Sequence, residues 1–462
     1  EECFAERARA EAGEADVVIT NHALLAINAF EGLAVLPEHD VVIVDEAHEL
    51  RDRVTGAVTA SLSAAAVRAA ATAVRKHTAA SSDALEKAAQ AFDLAFDPDP
   101  SGLLPRGFTE EQVYAVGGVQ DAARTGLSDT KGDSKGEDAA RHAARSRLSE
   151  LLDTAERMLS ADTAHDVLWI SRVGRWSPTE GYVGMSEGEP ATLNIAPLSV
   201  AGPLREGLFD GRTVVLTSAT LAVGSSFSST AGALGLQGPG SPAWRGVDVG
   251  SPFDYRRQGI LYVAKHLAKP GRGVSEEQLE ELLGLLEASG GGALGLFSSR
   301  RAAEDAAEAL RDRTELPILC QGDASLPSLV KEFTDDPSAS LFGTMSLWQG
   351  VDVPGQSCRL VVIDRIPFPR PDDPLGTART RAAERAGGNG FMSVSATHAA
   401  VRLAQGAGRL IRASGDKGVV AVLDSRLATA RYGSFLARSL PPLWPTTDRS
   451  TVLGALERLA RS

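Results

Sequence analysis

Asp45, Glu46 and His48 close the run Val-Val-Ile-Val-Asp-Glu-Ala-His at 41–48. Four apolar residues suit a strand buried on both faces of a parallel sheet. Open α/β sheets bind their ligands at the carboxyl ends of strands, where this acid pair falls. Two adjacent carboxylates there suit a nucleotide-bound Mg²⁺ and an attacking water. A strand running into a polar turn would read the same way, so the pair gains weight only from its partners downstream.

Those partners recur at strand ends. The run 214–221, Val-Val-Leu-Thr-Ser-Ala-Thr-Leu, ends in hydroxyls. Ser218 and Thr220 suit a hydrogen-bond relay between two sites, and equally a Ser/Thr turn that closes a strand. At 296–301, Ser298, Ser299, Arg300 and Arg301 sit where a strand gives way to a helix. A helix start binds phosphate through free backbone amides, and a nucleic-acid backbone is a natural ligand. An ordinary helix cap with solvated arginines is the plain alternative. The segment 342–355 contains Thr344, Trp348, Gly350 and Asp352. Gly350 permits close backbone approach, Asp352 offers a carboxylate to a ribose or a metal-bound water, and Trp348 reads as a core residue. Finally, Arg402, Gln405, Arg409 and Arg412 are spaced by 3, 4 and 3 residues, one face of a helix predicted over 397–412. Gly406 and Gly408 interrupt it at roughly 1 kcal/mol each. A Gln and two glycines within an arginine stripe favour anion recognition, and an arginine reaching a γ-phosphate from another domain is a known device.

The elements that position these residues alternate strand and helix. Residues 15–20 and 41–44 read as strands around a helix over 22–30, one βαβ unit. Between 53 and 165 the chain is Ala-rich and helix-favouring, with a polar Gly-containing loop at 128–138. Strand signals return at 167–170 and 213–217. Residues 235–252, rich in Gly, Pro and Ser, suit a linker. Beyond it, strands over 293–297, 317–320, 340–343, 360–364 and 419–423 alternate with helices over 301–313, 326–334, 397–412 and 430–440, a second doubly wound unit. The predicted layout is a first α/β domain from 1–52 and 166–234, a helical insertion at 53–165, the linker, and a second α/β domain at 253–462.

The chain has 462 residues, enough for two or three domains with cores of their own. Formal net charge is −13, which argues against a uniformly basic nucleic-acid coat but not against a local basic groove. No apolar run approaches the length needed to span a bilayer. Three scattered cysteines, Cys3, Cys320 and Cys358, make no disulfide framework and fit a reducing cytoplasm.

Taken together and in order, 45–48, 217–221, 348–352 and 405–412 resemble the DinG branch of the XPD-like superfamily 2 DNA helicases. The run 20–25 (Thr-Asn-His-Ala-Leu-Leu), 251–255 (Ser-Pro-Phe-Asp-Tyr) and 363–369 (Ile-Asp-Arg-Ile-Pro-Phe-Pro) carry the same likeness. The resemblance implies two RecA-like motor domains with ATP between them, and an arch domain in the place of the insertion. It implies that Asp45 holds Mg²⁺, that Glu46 orients or deprotonates the water, and that His48 with Gln405 couples the cleft to the DNA side. Gly350 and Asp352 would then serve ATP binding and coupling, and Arg409 and Arg412 would face the triphosphate. Ser218, Thr220, Ser298, Ser299, Arg300 and Thr344 would bind DNA or couple to it. The partners implied are single-stranded and forked DNA, with 5′→3′ polarity, in repair or replication.

Two departures from the family pattern stand out. No Gly-x-x-x-x-Gly-Lys-Ser/Thr occurs, so the phosphate-cradling loop is expected upstream of Cys3. The chain also opens on Glu rather than Met, which leads us to expect a fragment of a longer protein, inactive as an ATPase by itself. Iron–sulfur members use four cysteines before the acid box, and Cys3 resembles the last of them, so a [4Fe–4S] cluster is expected in the complete protein. A nucleic-acid-binding protein without ATPase activity and an RNA helicase are the competing readings. Intact Glu46, Gln405, Arg409 and Arg412 speak against the first. The motor motifs do not read sugar chemistry and leave the second open.

Overall fold

Strand pairing in the computed structural model, which describes residues 4–30, 35–97, 99–131, 139–172, 176–177, 181–182, 190–271, 273–344 and 358–461, sorts the chain into three packed units. In the first half lie β1 (Val41–Val44), β2 (Ala60–Ser63), β3 (Gly102–Leu103), β4 (Asp166–Ser171), the hairpin strands β5 (Trp176–Ser177) and β6 (Gly181–Tyr182), β7 (Thr192–Pro197) and β8 (Thr213–Leu216). In the second half are β9 (Gly259–Val263), β10 (Ala293–Phe297), β11 (Ile318–Cys320), β12 (Ser340–Thr344), β13 (Leu360–Ile363), β14 (Gly418–Val422) and β15 (Trp444–Thr446).

The first unit is a parallel pair, β1 against β8, in register from Val41↔Thr213 to Val44↔Leu216. Val42 and Val44 are buried with Leu25, Leu50, Val54, Leu204 and Leu208. Their neighbours point the other way: Val41 is 57% and Ile43 70% exposed. Residues 15–20, predicted as a strand, pair with no strand among the described residues, and Ile19 is 96% exposed. A β-branched run becomes a strand only where it has an edge to pair with.

The second unit differs from the purely helical insertion that was predicted. The helices Ala64–His77, Asp83–Phe96, Glu110–Asp129 and Ala139–Leu159 pack on a four-stranded sheet of order β2-β7-β4-β3. Its neighbouring strands run antiparallel. Val67, Phe92, Phe96, Val116, Leu148, Ile170 and Leu193 form a core of their own. β4 therefore does not return to the first α/β domain as 166–234 was predicted to do. Its apolar run Val-Leu-Trp-Ile at 167–170 marks a strand, but its pairing partners are the antiparallel neighbours β7 and β3. Local signals still start these helices: Ser63 accepts the amide of Ala66, and Thr109 with Gln112 forms a reciprocal capping box.

The third unit is a seven-stranded parallel sheet of order β11-β12-β10-β13-β14-β9-β15. β10, β13 and β14 are buried along their whole length, with cores on both faces. This is the layered α/β architecture expected of crossover connections. At the entry to β10, Gly290, Gly291 and Gly292 all have positive φ, and a Cβ on Gly291 would lie 1.8 Å from the Ser338 carbonyl oxygen. Only glycine fits that turn. The predicted helix over 397–412 stops at Ala407. Gly408 closes it, and the Arg409 amide turns back to the Gly406 carbonyl, so Arg409 and Arg412 lie beyond the helix that carries Arg402 and Gln405.

Candidate active site

The carboxyl ends of β1 and β8 meet at one point. The amide of Ala47 donates to the Thr217 carbonyl at 2.9 Å, which stitches the two strand ends together. Asp45 Oδ1 accepts from the Thr217 hydroxyl and from the Glu46 amide, both at 2.9 Å. Its Oδ2 takes no hydrogen bond among the described residues, leaving an oriented carboxylate with one open oxygen. His22 Nε2 donates to the Asp45 carbonyl at 2.8 Å and ties the helix His22–Phe30 to the same turn. Glu46 has φ 48° and ψ 41°, left-handed backbone. A non-glycine residue held there stores about 1–3 kcal/mol, and such strain clusters at functional sites.

From Glu46 a line of hydrogen bonds leads across the molecule. Ser218 Oγ donates to Glu46 Oε2 at 3.2 Å, and His48 Nδ1 lies 2.8 Å from Ser218 Oγ. The other ring nitrogen, His48 Nε2, bonds to Gln405 Nε2. Ser218 has one proton, which goes to Glu46, so His48 Nδ1 must donate to Ser218 and its Nε2 must accept from Gln405. That pattern requires a neutral imidazole. Burial supplies it, lowering the His48 pKa against the opposing pull of Glu46 and Glu49. Gln405 belongs to the third unit, so this line joins the two parallel sheets. Behind His48 lies a cavity of about 300 Å³ lined by Glu49, Arg53, Thr230, His398 and Arg402, again from both halves.

The remaining predicted residues are placed less centrally. Thr220 sits 3.3 Å from Ser218 Oγ, within the relay. Ser298 donates to the buried carboxylate of Asp364 at 3.0 Å, Ser299 caps the helix Arg300–Arg311 through the Ala302 amide, and Arg300 pairs with Glu304. Thr344 donates to Gln321 through amide and hydroxyl. Asp416 Oδ2 accepts the Arg412 amide at 2.7 Å and shapes the turn after the helix. Cys3, Trp348, Gly350 and Asp352 lie outside the described residues. Sequence reading passed over Thr217, His22 and Arg379. Thr217 and His22 lie inside quoted motifs, whereas Arg379 carried no signal at all. It donates to the Leu198 carbonyl at 3.1 Å and to Thr55 Oγ1 at 3.0 Å, and lies 3.6 Å from Asp52, bridging the second half to the helix that follows the acid pair.

A helicase C-terminal domain model matches residues 282–443. The whole chain is 50% identical to ATP-dependent helicase DinG of Mycobacterium tuberculosis (strain ATCC 25618 / H37Rv), over 69% of that protein's length. The chain belongs to the DinG family of ATP-dependent helicases. A second relative, ATP-dependent DNA helicase YoaA of Escherichia coli (strain K12), is 32% identical over 97% of this chain and 70% of its own. Among solved structures, one titled XPD_Helicase superposes with a TM-score of 0.56 at 16% identity, covering 95% of this chain and 74% of that one. That likeness is one of fold, and it identifies the parallel sheets of this DinG-family chain as RecA-like. ATP hydrolysis in this family proceeds on the Mg²⁺ complex of the nucleotide. No helix among the described residues is long and apolar enough to cross a membrane.

Proposed function

We propose that this DinG-family chain forms the motor of a helicase that moves 5′→3′ along single-stranded DNA and opens forked duplexes. The setting is the reducing cytoplasm, in repair or replication. One observation carries the proposal: the hydrogen-bonded line from Glu46 through Ser218 and His48 to Gln405 crosses from one RecA-like sheet to the other. A motor needs hydrolysis in one place to be felt as domain movement in another.

In this reading Glu46 orients the attacking water and takes its proton, while Asp45 holds Mg²⁺. The fit is good, because Asp45 Oδ1 is already oriented by two donors and Oδ2 is open, and Mg²⁺ is commonly held by one or two carboxylates plus phosphate oxygens. The metal would neutralise charge on the phosphates. His48 and Gln405 report the state of the cleft, and Arg409 and Arg412 approach the triphosphate from the second sheet. Gly350 and Asp352 serve the nucleotide, and Ser298, Ser299, Arg300 and Thr344 the strand. Strand pairing supports an arch-like unit over 60–197, with the first motor domain made of 1–59 and 198–234 and the second of 253–462. In the complete protein Cys3 would be one ligand of a [4Fe–4S] cluster. Cys320 and Cys358 are buried in the third unit and unsuited to join it.

Duplexes bearing only a 5′ or only a 3′ single-stranded tail test the proposal in the full-length protein. ATP-dependent opening of the 5′-tailed duplex alone is expected. Equal opening of both, or opening of the 3′-tailed duplex alone, would overturn the polarity.

A further inference from the structure

The carboxyl side of the seven-stranded sheet carries a group of rings that the hydrolytic line does not use. Phe368 follows β13, Phe391 opens the π-helical turn Phe391–Ala396, and Tyr432 lies beyond β14. The ring centroids are 5.5 Å apart for Phe368–Phe391, 5.2 Å for Phe391–Tyr432 and 5.5 Å for Phe368–Tyr432. Phe368 and Tyr432 pack on the core of the sheet, but Phe391 is not part of that packing and stays 37% exposed.

One cation lies against this rim and two more are near it in sequence. Arg426 lies 5.7 Å from the Phe368 centroid and is fixed there by Asp424, whose Oδ2 is 2.6 Å from Arg426 Nη2. Arg370 and Arg431, near Phe368 and Tyr432 in sequence, are exposed, and their side chains make no hydrogen bond or ion pair among the described residues. The stretch 358–438 holds twelve arginines and one lysine against five aspartates and one glutamate, a formal +7 in a chain of −13. A small satellite core would account for Phe368 and Tyr432. It would not account for a ring left at the rim among unpaired guanidinium groups.

We propose that the exposed face of Phe391 is a stacking platform for one base of a single-stranded nucleic acid, with Arg370 and Arg431 meeting the flanking phosphates. The class of ligand rests on the helicase reading above. Every base has a π-face, so an aromatic platform serves a motor that must pass any sequence, and arginines grip the repeating backbone. The platform also has a mechanical connection. Phe391–Ala396 runs directly into the helix Thr397–Ala407, so the ring and Gln405 sit on one helical rod about 20 Å long. A base on Phe391 therefore loads the rod whose other end touches His48.

Binding of full-length protein to labelled oligo-dT, and to an abasic strand of the same length, tests the platform. Phe391→Ala is expected to weaken oligo-dT binding roughly 5- to 100-fold, the range of one lost base stack. Abasic binding and DNA-free ATP turnover should not change, and Phe391→Trp should restore the oligo-dT affinity. Arg370→Ala and Arg431→Ala should weaken both strands alike and reduce the steepness of the salt dependence. Unchanged oligo-dT affinity in Phe391→Ala overturns the proposal, and so does an equal loss on both strands, which would mean the ring only shapes the backbone grip. A wild-type protein that binds neither strand refutes the helicase reading itself and takes the platform with it.

Discussion

The two parallel sheets of this chain solve opposite problems. β1 and β8 form a pair with one covered face, and Val41, Ile43 and Val215 of the other face are 57%, 70% and 45% exposed. The seven-stranded sheet is buried on both faces, with strands such as β10 and β14 closed along their whole length. Yet the oriented carboxylate, the strained Glu46 and the start of the relay all stand on the thin pair. The thick sheet contributes Gln405 and the arginines from turns and helix ends. On the proposed reading, chemistry is mounted where the packing is lightest, and movement is passed to the more closely packed half.

This contrast predicts that substitutions in the thin pair will be read in turnover, and those in the thick sheet in stability. The largest effect is expected from Glu46→Gln in the full-length protein. Loss of the base should lower ATP turnover by about 10²- to 10⁴-fold while ATP binding and thermal stability hold. Turnover within a few-fold of wild type would remove Glu46 from the reaction. Next comes Phe333→Ala. Phe333 is fully buried beneath the seven-stranded sheet, so truncation should cost about 3–5 kcal/mol, measured by denaturant unfolding of that unit. A loss below 1 kcal/mol would mean the thick sheet is not the rigid half. The smallest effect is expected for Ile43→Thr in the chain Glu1–Ser462. At 70% exposure, the change should stay within about 0.5 kcal/mol. A penalty of several kcal/mol would instead reveal that another segment covers this face.

Legibility in the sequence followed the range of the interactions. The strand 41–44 and its acids were readable because the apolar run and the acids are contiguous. Strand positions from 293 to 423 were readable for the same reason. β9 and β15 were passed over: Gly259–Val263 follows a Gly- and Pro-rich stretch, and Trp444–Thr446 is a short edge strand containing a proline. β4 was recognised as a strand but given to the wrong neighbours, because a short apolar run marks a strand and does not name its partner. Gln405 and His48 were paired only through the family resemblance, because no local rule brings together residues so far apart in the chain. The helix end at Ala407 shows the reverse case, in which glycines read as a propensity cost within a longer helix coincide with its end at Gly408.

The charge division between 358–438 and the remainder has a kinetic meaning. With +7 on that stretch, the rest of the chain carries −20, so the charge is unevenly divided along the sequence. Where such a division falls on opposite sides of a molecule, its field orients a polyanion before contact. The reach of that selection is the Debye length, about 30 Å at 0.01 M salt and about 10 Å at 0.1 M. On the proposed reading, the rate of strand association is expected to fall with ionic strength more steeply than screening of the final contacts alone would give, as stopped-flow binding at two salt concentrations would check.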